Sequence, residues 1–180
     1  MALILSRKAP APIAPVGPAR ALVRAWKTED LQASLGQLKE ARNRSRGREL
    51  FTAAQCAACH RLGGAGGAVG PDLTGVGSRF TPLDLLKSLT EPSAVVSEQY
   101  QFTILHPKNG EEVVGRIVAE AGGRLTVMTD PLKQTTVELQ VADLESRRPS
   151  PLSPMPEGLL NNFAAEEILD LLAYLQEPGQ

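Results

Sequence analysis

Cysteine is scarce in this 180-residue chain: there are two, three positions apart. Histidine is equally scarce, with two residues, and His106 stands far from the cysteines. Zinc is usually held by four side chains in two spaced pairs, a set this chain does not lay out. Aromatic residues make up only 4%, with a single tryptophan. Leucine, valine and alanine must therefore fill the interior, unless a bound group completes it. No stretch approaches the roughly 20 apolar residues of a membrane span. Residues 1–6 are mostly apolar, but Arg7 and Lys8 end the run. Neither sign of charge dominates. With 19 Lys/Arg against 20 Asp/Glu, the net charge of −1 argues against general nucleic-acid binding. The signs are nonetheless segregated: residues 1–50 carry ten bases and four acids, residues 151–180 five acids and no base. Such a basic stretch is either a solvated helix face or a surface for a partner or an acidic lipid.

The two cysteines that are present lie in Cys56-Ala57-Ala58-Cys59-His60. A CxxCH pentapeptide lets two thiols add to the two vinyl groups of one haem, and places the next histidine under the iron as proximal ligand. The other common use of CxxC, a redox pair, sits at the start of a helix in a βαβ unit. No such pattern precedes Cys56. The expected cofactor is one covalent haem c with its iron, anchored by Cys56 and Cys59 and ligated by His60. Haem c is attached on the oxidising side of a membrane, so a periplasmic or otherwise extracytoplasmic location is expected. The start of the sequence does not read as a secretory signal, because its charges follow the apolar residues instead of preceding them. An export signal is expected, so the expectation is that the start is missing, either because the N-terminus is truncated or because the sequence is a piece of a longer polypeptide.

Along the chain, residues 1–20 are Pro/Ala-rich and read as a disordered arm. Residues 21–45 read as a helical extension, with Leu22, Trp26, Leu31, Leu35 and Leu38 near helical spacing. A short helix is expected from Gly47 to Cys59. Glycines crowd residues 62–77. A phosphate loop would need a preceding strand and a terminal GK[ST], both missing; glycine backbone lying flat against a haem edge fits better. Thr81-Pro82-Leu83-Asp84 has the residues of a helix start. Tyr100–Leu105, Val113–Val118, Leu125–Met128 and Thr135–Val141 are β-branched runs, the first three separated by Asn109-Gly110 and Gly122-Gly123 turns. They predict a compact antiparallel sheet or small barrel. A final helix is expected over Ala165–Gln176.

A haem with one histidine below it raises the question of a sixth ligand. The candidates are Met155, His106 and Met128. Met128 lies in a strand pattern and His106 beside a hairpin turn. Met155 lies in Ser153-Pro154-Met155-Pro156, where two prolines fix the backbone around a soft thioether. It follows His60 by 95 positions, and removing the β-rich residues 100–148 leaves 46, a plausible path around a haem edge.

Several of these positions together resemble class I cytochrome c. Gly47 and Phe51 match the residues that cross the terminal helix in that family, and Leu171 and Tyr174 match the other side of the crossing. Gly70-Pro71-Asp72-Leu73 resembles the loop whose proline carbonyl takes the Nδ1–H bond of the proximal histidine. More narrowly, Trp26–Leu31, Gly70–Gly75, Glu91-Pro92-Ser93 and Met155–Leu160 are similar to a haem-binding cytochrome c domain family of planctomycete and verrucomicrobial bacteria. One departure is Ala164, where a Ser or Thr cap is expected. The resemblance implies a mainly α chain: a class I cytochrome c fold around one haem c (residues 46–99 and 149–177), interrupted by the β insertion (residues 100–148). It implies His60 and Met155 as axial ligands, Pro71 as acceptor for His60, and a partner dehydrogenase or oxidase module. Arg79 is expected to pair with a haem propionate. The function expected is one-electron transfer, not enzymatic catalysis. Two alternatives stand beside it: a sensing or catalytic haem protein with an open distal site, and an interaction module whose working part is the β insertion.

Overall fold

The computed structural model describes residues 20–177, so the arm expected at 1–20 lies, Arg20 excepted, outside the described residues. Among the described residues the helices are α1 (Thr28–Gln32), α2 (Arg44–Ala53), α3 (Cys56–Cys59), α4 (Pro82–Thr90) and α5 (Ala165–Leu175). The strands are β1 (Arg61–Leu62), β2 (Ala65–Gly66), β3 (Thr103–Pro107), β4 (Val113–Ala121), β5 (Arg124–Asp130), β6 (Thr135–Gln140) and β7 (Leu144–Pro149). Helix, 3₁₀ turns included, accounts for 35% and strand for 23% of the described residues. The expectation of a mainly α chain is therefore overturned. The helices are short and joined by long glycine- and proline-rich connections, whereas the β-branched runs all find cross-strand partners.

The helical body is organised by one crossing. A Cβ on Gly47 would overlap the Asp170 carbonyl and stand 2.6 Å from Cβ of Tyr174, so α2 and α5 touch backbone to backbone there. One turn on, the Phe51 and Tyr174 rings meet edge to face with centroids 6.1 Å apart. Asp170, only 1% exposed, locks the crossing. It accepts from Arg42 Nε at 2.9 Å, Arg46 Nε at 2.6 Å and Asn43 N at 3.2 Å. α4 begins as the sequence predicts: Thr81 Oγ1 accepts from Asp84 N at 3.2 Å, and an Asp84 carboxylate oxygen accepts from Thr81 N at 2.9 Å. At α5, Ala164 has no acceptor, so only the Glu167 half of such a cap is made, from Ala164 N at 2.8 Å.

The helix expected over 21–45 is much shorter. Residues 20–27 run without helix, and beyond α1 the chain tightens into a 3₁₀ helix, Ala33–Lys39, before α2. Tertiary hydrogen bonds hold the leading segment open: Val23 N and Arg24 N donate to Asn161 O, and Trp26 Nε1 donates to Phe163 O at 2.9 Å. Leu22, read as part of an apolar stripe, is 71% exposed.

The antiparallel sheet has the order β6-β5-β4-β3-β7. Its turns use the glycines the sequence offers, with Gly110, Gly122 and Gly123 all at positive φ. Leu105, Leu125 and Val127 form its fully buried centre. Sequence reading missed β7, because Leu144-Glu145-Ser146-Arg147-Arg148-Pro149 is an edge strand with almost every residue exposed and no apolar alternation. Its signal lies in its partner: Thr103 pairs with Pro149, so the strand that opens the sheet also closes it. Among the described residues, no helix is long and apolar enough to cross a membrane.

Candidate functional site

The CxxCH segment does not continue α2 as expected. Gln55 takes φ 64°, a left-handed conformation that costs a non-glycine residue about 1–3 kcal/mol, and the helix restarts at Cys56. Ala54 N closes α2 on Leu50 O at 2.7 Å, and His60 N closes α3 on Cys56 O at 2.8 Å. Both thiols thus belong to one isolated turn, with His60 directly after it in extended backbone. Cys56 is 7% exposed and part of the body's core; Cys59 is half-buried, and both are free. Burial pushes the Cys56 thiol up to about 12 and also raises that of Cys59. A redox-active pair shows the opposite shift, because its attacking sulfur must be a thiolate near neutral pH. These sulfurs are neutral groups on an apolar floor.

The ring of His60 is fixed from outside the motif. Its Nδ1 lies 2.8 Å from Pro71 O. A carbonyl can only accept, so Nδ1 carries the hydrogen and Nε2 keeps its lone pair for a metal. The loop bearing Pro71 folds back on the motif: Gly70 N donates to Cys59 O at 2.8 Å, Gly67 N to Ala57 O at 2.9 Å, and Leu73 N to Arg61 O at 2.8 Å. Three of the glycines are required by contacts with the motif itself. A Cβ on Gly66 would overlap His60 O, one on Gly67 would overlap Ala58 O, and one on Gly70 would stand 2.7 Å from Cε1 of the His60 ring. They let the loop press against the motif's own backbone and imidazole.

Arg79 belongs to the same loop. Its Nη2 donates to Thr74 O at 3.2 Å and Asp72 O at 3.3 Å, which leaves other guanidinium N–H groups for an anion. Thr74 in turn accepts from Gly63 N at 3.1 Å. Hydrogen bonds from Thr74, with Arg61 and Arg79 adding attraction, hold the Asp72 carboxyl below its ordinary value.

Met155 packs against the body's apolar core, the cluster that also contains Cys56. Met128 lies in β5, paired with Arg116 and Thr136. His106 lies in β3, with Nε2 3.7 Å from a Glu112 carboxylate oxygen. The structure therefore gathers Cys56, Cys59, His60, Pro71 and Arg79 around one loop and sets Met155 against the shared core. It places His106 and Met128 in the sheet. Sequence reading missed Ser153, whose Oγ accepts from Met155 N at 3.1 Å, and Asp170, hidden as one acid among five near the C-terminus. On a helical projection Asp170 falls on the same side of α5 as Glu166 and Glu167, so nothing local marked its burial.

The residues suit a covalently attached haem: two neutral thiols on one turn, an imidazole with Nε2 free, and an apolar core reaching both Cys56 and Met155. Among the described residues, no three His, Cys, Asp or Glu side chains gather to hold a metal ion unaided. No curated protein matches the chain. Residues 45–110 match the family model of cytochrome c, a stretch that takes in α2, the CxxCH turn, the Pro71 loop and α4 and stops before Met155. Over that stretch the chain is similar to cytochrome c, a haem-binding electron carrier, and the cofactor is haem c with its iron.

Proposed function

We propose that the chain is a monohaem c-type cytochrome domain that passes single electrons through a His60/Met155-ligated haem. The observation that carries this reading is the Nδ1–H bond from His60 to Pro71 O, directly after one turn that holds a buried thiol, Cys56, and a half-buried one, Cys59. Cys56 and Cys59 form the thioether anchors, and Nε2 of His60 is the proximal ligand. Pro71 O orients the imidazole and raises its basicity. Met155, between two prolines and against the core, supplies the distal thioether, and Arg79 offers its remaining N–H groups to a propionate. Haem c, when bound, supplies the one-electron iron chemistry; the protein supplies ligation, orientation and a low-dielectric surround.

The chain works outside the cytoplasm, where haem c is attached, and delivers to a redox partner, a separate protein or a fused dehydrogenase or oxidase module. The sheet stands as an insertion between residues 46–99 and 149–177, as in the narrower planctomycete and verrucomicrobial family. Expression with haem c maturation machinery should add one haem mass that survives acid and organic extraction. Met155→Ala should keep that haem, lose the Met–iron band near the red edge and lower the midpoint potential. Freely extractable haem would sink the cytochrome reading. A high-spin ferric wild type would favour the open-site alternative.

A further inference from the structure

The sheet and the distal loop share one short stretch of chain. β7 ends at Pro149, and Met155 follows six residues later. Four serine-centred contacts occupy or brace the interval. Ser150, 5% exposed, donates its N–H to Phe102 O at 2.7 Å, extending the β3–β7 pairing by one step. Its Oγ accepts from Leu152 N at 3.1 Å, closing a tight turn. Ser153 N then donates to Ser93 Oγ at 3.1 Å, and Met155 N donates to Ser153 Oγ at 3.1 Å. Ser93 follows the buried Pro92 just beyond α4, in the Glu91-Pro92-Ser93 segment. Glu91 is itself tied down, accepting from Thr28 Oγ1 at 2.5 Å.

We propose that Ser93 and Ser153 are positioning residues for the distal ligand: together they seat the Met155 loop on the end of α4, beside the neck of the sheet. This rests on Met155 being that ligand. Proline on either side of Met155 limits the backbone but removes donors, since neither Pro154 nor Pro156 has an N–H. The Ser153 N–H then ties the loop to Ser93 Oγ beyond α4, and the Met155 N–H closes a turn within the loop on Ser153 Oγ, fixing Met155 relative to that tie. Thioether ligation is weak and soft, so the loop's anchorage sets how readily an outside ligand displaces it. The contacts of Ser93 and Ser153 run to the backbone of the Met155 loop, so their action is through Met155.

The test uses the full haem-loaded chain with imidazole as the competing ligand for ferric iron. Losing one of these hydrogen bonds should tighten apparent imidazole binding about fivefold, the size of one net hydrogen bond. Ser93→Ala and Ser153→Ala should each do so, and Ser93→Thr, which keeps the hydroxyl, should restore the wild-type value. Ser88→Ala serves as the control, because Ser88 Oγ donates to Asp84 O within α4 and does not reach the loop; it should leave imidazole binding unchanged. Met155→Ala separates the two readings. If it leaves the Met–iron band intact, the ligand assignment itself fails. If it abolishes the band while Ser93→Ala and Ser153→Ala bind imidazole like wild type, Met155 stands and the serine anchorage is overturned. An equal effect from Ser88→Ala, or no rescue by Ser93→Thr, would also overturn it.

Discussion

The helical body and the five-stranded sheet differ in how far along the chain their contacts reach. In the body, Gly47 meets Asp170 and Tyr174, Trp26 meets Phe163, and Thr28 meets Glu91. Each contact joins segments far apart in sequence. In the sheet, three of the four ladders join consecutive strands, and only β3–β7 spans the whole lobe. The two regions also keep separate apolar clusters, one containing Cys56 and packing Met155, the other centred on Leu105, Leu125 and Val127. A body assembled from distant segments transmits any loosening to the site it holds. A sheet closed mainly by hairpins can melt or be altered locally, with the neck at Ser150 as its link to the Met155 loop.

The sharpest way to break that contrast is Asp170→Ala. It removes the buried acceptor shared by Arg42, Arg46 and Asn43 N, leaving Arg42 with Glu166 alone, and should destabilise the body by about 3–5 kcal/mol in denaturant melts followed by the haem spectrum. A loss under about 1 kcal/mol would mean the network is a solvated surface pair. Leu125→Ala should cost the sheet about 2–5 kcal/mol. Followed by strand circular dichroism, the sheet should melt early while the haem band holds. One joint transition would show that the two regions fold as a unit. Gly47→Leu should cost about 1–3 kcal/mol by overpacking, again in the haem-monitored transition, because its neighbours are backbone and cannot step aside. A neutral result would place the crossing elsewhere. The smallest effect belongs to His106→Ala, which should leave spectrum, potential and reduction by small-molecule donors unchanged. A shift to high spin in that variant would bring the sheet over the haem and end the contrast.

Much of the local structure was legible because its causes are local. Thr81-Pro82-Leu83-Asp84 caps α4 through atoms three residues apart, and Asn109-Gly110 and Gly122-Gly123 turn hairpins through backbone angles their own residues favour. The CxxCH spacing identified the cofactor because two thiols and an imidazole must lie on one turn to serve one haem. The Gly47 crossing was legible only through family resemblance, since a lone glycine does not announce what approaches it. Other features had no local signature. The leading segment is not helical because Asn161 and Phe163, more than 130 residues away, take its hydrogen bonds. β7 exists because β3 offers it a ladder.

The sequence by itself determined the cofactor chemistry, the caps, the hairpin turns and the strand-rich character of residues 100–148, all set by side chains and dihedrals within a few positions. Only the tertiary structure decided the overall balance of helix and strand, the break at Gln55 and the fit of Gly66, Gly67 and Gly70 against the CxxCH segment. It also decided the burial of Asp170 between two arginines and the serine anchorage of the Met155 loop. Each of these depends on which distant backbone carbonyl, hydroxyl or guanidinium comes within hydrogen-bonding distance, and that proximity is created by the packing of the whole body.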